Sequence, residues 1–193
     1  MTKLRCYTAA WVLPVVAPPV ENGALLVDDR GRIAGVGPLD TVPPEHEAAR
    51  MELGDPVLLP GLINVHAHAE LGAFRGLLDD LPFHEWIPSL MRCKRGAQLT
   101  FDDYLTAARW TCVESLRAGI TTMGATEDSG AAVLALREAR MRGLVYLETF
   151  GPAPEQVESS MHTLQEKVQR FGGEANERVG PNGETRLGVL FAR

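Results

Sequence analysis

The feature that most constrains this chain is a change of rhythm at Pro60-Gly61. Before it, short apolar runs are separated by turn residues, and after it apolar runs alternate with segments of helical periodicity. Alternating strands and helices are typical of βαβ units, whose strands form a parallel sheet. We therefore predict an α/β fold with strands at residues 57–65, 120–125, 144–150 and 186–191.

Three helices are predicted between these strands. Thr100 is a favoured N-cap residue, and the helix that follows ends at Gly119, a residue type that favours the C-terminal cap. Its apolar face comprises Leu105, Ala108, Cys112 and Leu116. A second helix is predicted at residues 129–142. A third begins near Pro154, with apolar residues at steps of three and four, namely Val157, Met161, Leu164, Val168 and Phe171.

The first 55 residues show a different pattern, which predicts a small antiparallel sheet. Strands are expected at residues 7–13, 23–27 and 32–36. The intervening Asp28-Asp29-Arg30-Gly31 favours a hairpin turn, because Asp accepts hydrogen bonds from the backbone that follows it and Gly adopts a positive φ. We therefore predict two domains, at residues 1–55 and 56–193.

Charge and composition exclude several classes of protein. The 193 residues carry 19 Lys and Arg against 25 Asp and Glu, a net charge of -6, which argues against the basic surface of a nucleic-acid-binding protein. No apolar run approaches the roughly 20 residues that cross a bilayer. The three cysteines form no C-x-x-C pair, which fits a reducing compartment. We expect a soluble cytoplasmic protein that binds a small molecule, with neither nucleic acid nor membrane as a partner.

Two histidines stand where the first parallel strand ends. His66 and His68 are two residues apart, so in an extended strand both side chains point to the same face. Ligands and catalytic groups gather at the carboxyl ends of the strands in parallel α/β folds. Two imidazoles at one point form half of a metal site. The alternative is a pair of solvated or turn-stabilising histidines.

Three segments carry a resemblance to a known family. PGLINVHAHAE at residues 60–70, preceded by DDRGRIAGVG at residues 28–37, resembles the opening of the amidohydrolase superfamily. FRGLLDDLPFHEWI at residues 74–87 resembles its cytosine-deaminase and chlorohydrolase-like branch. Within that branch, the chain is similar to deaminases of adenine-containing nucleosides, such as those acting on S-adenosylhomocysteine or aminofutalosine.

The resemblance implies a (β/α)₈ barrel flanked by a β-sandwich, with a divalent metal in the mouth of the barrel. His66 and His68 match the first two ligands of that metal, which generates hydroxide from water for attack on a ring carbon. No lysine lies in a predicted strand, so the lysine that bridges two metals in dinuclear members is missing and one metal is expected. Zinc and ferrous iron both accept such ligands.

The chain matches only the N-terminal half of this family pattern. About four of the eight strands are encoded, since a complete barrel takes about 250 residues. The later His, Glu and Asp positions of the family have no counterpart, so no residue of the chain is assigned as general acid or base. The alternative function is therefore an inactive fragment that acts as a binding or assembly module, either as a homo-oligomer or with a complementary C-terminal half. A flavodoxin-like binding module is disfavoured because no strand is followed by a Gly-rich phosphate turn.

Other residues are weaker candidates. Glu85 and Trp86 match positions where nucleoside-deaminating relatives bind sugar hydroxyls and cover the substrate, although a solvated Glu beside a core Trp explains them equally well. Glu70 is expected to be exposed, with support of the histidines as the alternative. Arg75 is expected to order a loop, and Glu148 lies near a strand end without an assigned role.

Overall fold

A computed structural model describes residues 4–43, 50–150, 153–172 and 185–191, the last of these as backbone. The chain divides into two compact units, Met1–Gly61 and Leu62–Arg193. Within the described residues, no helix is both long and apolar enough to span a membrane.

The first unit is built on one mixed sheet. Its strands are β1 (Arg5–Val12), β2 (Val20–Val27), β3 (Ile33–Pro38), β4 (Arg50–Glu52) and β5 (Val57–Leu58). The first three form an antiparallel meander, as predicted, whereas β4 and β5 both pair in parallel with β1. A second sheet, which a β-sandwich requires, is not found among the described residues of this unit.

The turn between β2 and β3 forms as the sequence predicted. The Asp28 carboxylate accepts hydrogen bonds from the backbone N–H groups of Arg30 and Arg32, at 2.9 and 2.8 Å. Gly31 has a φ of 75°, which glycine adopts without the steric cost that a Cβ imposes. The local chemistry of four residues therefore sets this connection.

The prediction of a single strand at residues 57–65 is wrong. The structure divides it into β5, which pairs with β1, and β6 (Leu62–Ala67), which belongs to the second unit. Pro60 separates the two because it has no N–H to donate to a strand partner. The predicted boundary near residue 55 thus precedes the observed division at Gly61.

The second unit contains a parallel sheet of four described strands, which are β6, β7 (Ile120–Glu127), β8 (Arg142–Thr149) and β9 (Thr185–Phe191). They lie in the order β6-β7-β8-β9. They alternate with helices α1 (Phe83–Gly96), α2 (Phe101–Arg117), α3 (Ala131–Glu138) and α4 (Val157–Gly172). Short 3₁₀ helices at Ala69–Phe74 and Pro154–Gln156 precede α1 and α4. This is an open α/β sheet, consistent with part of a barrel.

The three predicted helices form with local differences, whereas α1 was not predicted. Thr100 and Asp103 form a reciprocal capping box at the start of α2, and Gly119 ends it at a φ of 80°. On the predicted apolar face of α2, Leu116 is exposed and Ser115 is buried instead. The helix predicted at residues 129–142 is shorter, because Arg140 takes a positive φ and Arg142 already belongs to β8. Val157, the first apolar residue of α4, is also exposed.

The core lies on one face of the parallel sheet. Side chains of β7 and β8 pack there against α2, α3 and α4, and the buried residues include Met123, Ala125, Val145, Leu147, Leu136 and Leu164. The opposite face is open in the described residues. There Ile63 and Val65 are 65% and 79% exposed, and with Thr122, Gly124, Leu144 and Tyr146 they line a depression of about 310 Å³.

Candidate functional site at the strand ends

A β-bulge at the end of β6 sets the direction of the two histidines. Asn64 pairs with Met123 and Ala67 with Ala125, so three steps on β6 correspond to two on β7. The Asn64 side chain accepts a hydrogen bond from the backbone N–H of His66 at 3.1 Å. Ala67 packs against the core under the helices. Since side chains alternate along an extended chain, His66 and His68 on either side of it face away from that core.

The two imidazole rings lie next to each other. Their centroids are 5.1 Å apart and their planes are inclined at 85°. Two imidazoles that bind one tetrahedral zinc at about 2.0–2.1 Å have ring centroids about 5 Å apart. The spacing of the two rings therefore matches that of two imidazoles on one divalent ion.

The pair by itself does not complete a metal site. Across the residues that the structure describes, no group of three or more His, Cys, Asp or Glu side chains is arranged to hold a metal. Catalytic zinc sites ordinarily have three protein ligands and one open position. The described residues thus offer two such ligands, and their role as ligands stays a prediction.

Glu70 is buried, contrary to the expectation that it is exposed. It lies in the 3₁₀ helix after His68, is only 2% exposed, and its Oε2 has no hydrogen-bond partner in the described structure. Burial raises the pKa of Glu70 to about 8, and the nearby carboxylate of Glu127 acts in the same direction. The helical turn after the histidines folds this side chain inward, and among the described residues no hydrogen bond or ion pair joins Glu70 to either imidazole.

The pKa of Glu70 predicts a pH dependence of stability. Because its folded-state pKa of about 8 lies above the ordinary 4.5, the folded chain holds this proton more tightly than the unfolded chain. Stability should therefore fall as the pH rises from about 4.5 to about 8. Glu70→Gln keeps the side chain neutral at both pH 5 and pH 8. The difference in free energy of unfolding between the variant and the unsubstituted chain should therefore shift by at least about 1 kcal/mol in favour of the variant between pH 5 and pH 8. Urea unfolding at several pH values measures this difference, and a difference that does not change with pH would contradict it.

Glu127, the last residue of β7, is a second buried carboxylate that the sequence analysis missed. Its Oε2 accepts a hydrogen bond from the Ser129 hydroxyl at 2.6 Å, and its Oε1 accepts one from the Ala132 N–H at 3.0 Å. Burial raises the pKa of Glu127, whereas these hydrogen bonds lower it. The carboxylate thereby satisfies the N–H of Ala132 in the first turn of α3, while the Ala131 N–H donates to the Ser129 hydroxyl at 3.1 Å. Its position at a strand end, directly before a helix, was the available signal.

An ion pair joins α1 to the end of β7. Lys94 Nζ lies 3.3 Å from Asp128 Oδ1, and both side chains are half-buried. The positive charge of Lys94 acts against the rise in the pKa of Glu70. The turns after β6 and β7 and the end of α1 thus meet in one charged cluster, formed by Glu70, Lys94, Glu127 and Asp128.

Glu85 and Trp86 lie in the first turn of α1. Glu85 is exposed, and His84 Nε2 is 3.7 Å from its Oε1. Trp86 is half-buried and stacks with Phe83 at a centroid distance of 6.4 Å. Their predicted role in binding the substrate stays a prediction.

Two further candidates have clear positions. Arg75 forms a two-pronged ion pair with Glu114 of α2, which orders the segment after the 3₁₀ helix as predicted. Glu148 is half-buried at the end of β8 and lines a cavity of about 240 Å³ together with Asp128 and Lys167.

An open parallel sheet with a histidine pair at its carboxyl end defines an α/β protein with a candidate metal site, and sequence comparison identifies the family. The sequence model of the amidohydrolase family matches residues 57–186, so the chain belongs to this family. A 5-methylthioadenosine/S-adenosylhomocysteine deaminase of Symbiobacterium thermophilum is 31% identical over 172 residues, which are 87% of this chain and 39% of that protein. The chain therefore spans about two fifths of the length of this relative.

Solved structures show the same fold. An aminofutalosine deaminase of Helicobacter pylori, in complex with methylthio-coformycin, superimposes with a TM-score of 0.74 at 18% identity, over 96% of this chain and 43% of that one. An adenosine deaminase of Xanthomonas campestris with bound zinc gives a TM-score of 0.72 at 19% identity, over 95% and 42% of the two chains. These neighbours confirm the α/β architecture, in which the chain corresponds to part of a larger fold.

Proposed function

We propose that this chain is the part of a metal-dependent amidohydrolase that supplies the first two metal ligands, His66 and His68. The reaction is hydrolytic deamination of an aminopurine nucleoside-like substrate at a carbon–nitrogen bond that is not a peptide bond. The observation that carries the proposal is the 5.1 Å separation of the two rings at the carboxyl end of β6. The amidohydrolase match and the relatives that deaminate adenine nucleosides support it.

Four residues of the chain have proposed roles in binding the metal or the substrate. His66 and His68 would hold one divalent ion, zinc or ferrous iron, through their neutral imidazole nitrogens. Such an ion supplies Lewis-acid chemistry and lowers the pKa of water toward 7. Glu85, being exposed, is available to accept hydrogen bonds from sugar hydroxyls. Trp86 offers a flat apolar face for a purine ring.

The reaction is tested in an extended protein, in which this chain is joined to the portion of the Symbiobacterium relative that lies beyond the matched segment. We expect ammonia release from adenosine, methylthioadenosine or S-adenosylhomocysteine, with guanine, cytosine and a chlorinated triazine as comparison substrates. Turnover of the chlorotriazine alone would contradict nucleoside deamination while leaving metal-dependent hydrolysis in place.

Trp86 gives the proposal a more local test. In the extended protein, Trp86→Leu should raise the KM for the nucleoside by about tenfold, because base–aromatic stacking contributes about 1–3 kcal/mol. Trp110→Leu is the matched control, since Trp110 is an exposed residue of α2. Equal KM values for the two variants would contradict the stacking role of Trp86.

The open face of the parallel sheet favours a second function, that of an assembly module without turnover of its own. Parallel sheets are covered on both faces in nearly all folds, whereas Leu62, Ile63 and Val65 are exposed here. A complementary polypeptide, or a second copy, would bury them. Size-exclusion chromatography with light scattering separates the two functions: a monomer of this chain that binds one zinc tightly and deaminates adenosine analogues would exclude the assembly module.

A further inference from the structure

One face of α1 carries its contacts with the rest of the unit. Trp86, Leu90 and Lys94 recur every four residues and so lie on the same side of the helix. Leu90 is the buried residue of α1, Trp86 is half-buried, and the Lys94 side chain is 21% exposed. Phe83, by contrast, is largely exposed. The helix is therefore anchored by Leu90 and Lys94, toward its C-terminal end.

Local features make α1 dependent on such anchors. Its N-cap residue is Pro82, with no side chain to accept a hydrogen bond from the first turn. Pro88 lies inside the helix, where it has no N–H to donate to the preceding turn. A helix of 14 residues is marginal in isolation, so tertiary contacts supply most of its stability.

The anchor at Lys94 is an ion pair with two contacts. Its Nζ lies 3.3 and 3.4 Å from the two carboxylate oxygens of Asp128. Asp128 directly follows Glu127, the last residue of β7, so the pair ties α1 to a strand end. A half-buried pair is less screened by salt than a fully exposed pair. The link therefore fixes α1 relative to the edge of the sheet where β6 places the histidines.

We infer that Lys94 is a positioning residue, whose ion pair with Asp128 holds α1 so that Glu85 and Trp86 stand at the substrate site. The part of this inference that concerns the substrate rests on the proposed function. The part that concerns α1 does not, since it follows from the contacts of Lys94, Leu90 and Asp128 alone. Lys94 acts through α1 and is assigned no contact with substrate.

The position of α1 is tested on the chain itself by amide hydrogen exchange. Lys94→Met retains the apolar stem without the charge, and Asp128→Asn is nearly isosteric. Each should speed exchange at residues 83–96 by about threefold or more, and the double variant should be no faster than either single variant. Arg95→Met, which removes an exposed cation from the same turn, should leave exchange unchanged. Unchanged exchange in both single variants, or additive effects in the double variant, would overturn the inference whatever the reaction is.

The link to the substrate is tested in the extended protein. Lys94→Met should raise the KM for the nucleoside by about tenfold, while kcat stays within about twofold and the zinc content is unchanged, because uniform binding is lost. Lys94→Arg keeps the charge and should restore most of the affinity. Faster exchange of α1 with an unaltered KM would overturn the positioning role toward substrate. Loss of turnover in the unsubstituted extended protein would instead count against the proposed function.

Discussion

Replacing both His66 and His68 with alanine should abolish metal binding and lower turnover by about three orders of magnitude or more. The reason is chemical: without the ion, the pKa of water is not lowered toward 7, and neutral water is a far weaker nucleophile than hydroxide. Zinc per chain is measured by elemental analysis after dialysis, and turnover by ammonia release in the extended protein. Zinc should also raise the melting temperature of the unsubstituted chain and leave that of the double variant unchanged, since a ligand stabilises only the state that binds it.

The chain offers matched controls for this experiment. His84 and His162 are exposed histidines on helices, close to Glu85 and Glu166 respectively. The variant His84→Ala/His162→Ala also removes two imidazoles, but at other positions, and should keep both zinc and turnover. If the two double variants lost zinc to the same extent, binding by scattered surface histidines would explain the result, and the metal site at β6 would be refuted.

The histidine pair shows what a sequence can and cannot specify at this site. Spacing and strand periodicity predicted that His66 and His68 share a face, and the adjacent rings agree with that prediction. The bulge between Asn64 and Ala67 was not foreseen, because it arises from pairing with β7. Strand register depends on the partner strand, which lies more than 50 residues away in the sequence. Local patterns therefore predict that the two histidine side chains share a face, and the tertiary fold sets the direction in which that face points.

The charged cluster behind the site shows the opposite case. Glu70, Glu127 and Asp128 belong to polar or turn-like stretches, and such residues are ordinarily exposed. The burial of Glu70 and Glu127 and the partial burial of Asp128 result from two turns and α1 meeting at the strand ends, a juxtaposition that no periodicity encodes. Lys94, like the other lysines, lies outside the predicted strands, and no other role was predicted for it. Its pairing with Asp128 spans 34 residues. The sequence thus located the candidate ligands but not the groups that order their surroundings.

Pro60 accounts for the main error in the fold prediction. Apolar residues continue on both sides of it, so periodicity alone suggested one strand at residues 57–65. The backbone rule that proline cannot donate to a sheet carries more weight than apolar continuity, and the chain changes sheets there. The capped helix α2 was predicted well because Thr100, Asp103 and Gly119 act locally.

Gly130→Ala should be the most damaging single-methyl substitution in the turn that follows β7. Gly130 has a φ of 85°, and a Cβ there would lie 2.1 Å from Cε2 of the buried Phe171 ring. We expect a loss of about 2–5 kcal/mol in the free energy of unfolding, from left-handed backbone strain of about 1–2 kcal/mol plus overpacking of about 1–3 kcal/mol. Urea unfolding followed by circular dichroism measures this loss.

Gly119→Ala separates the two causes. Gly119 has a similar φ of 80°, but a Cβ there would meet no atom within 4 Å, so this variant should lose only the strain of about 1–2 kcal/mol. Phe171→Leu removes the ring atoms that the added methyl group would meet, so the Gly130→Ala change should cost less in a Phe171→Leu background than in the original one. Equal losses for Gly130→Ala and Gly119→Ala would show that α4 does not hold Phe171 against this turn. In that case, the hydrogen bonds of Glu127 alone would have to hold the Glu127–Gly130 segment in place. The orientation of Asp128 toward Lys94 depends on this segment.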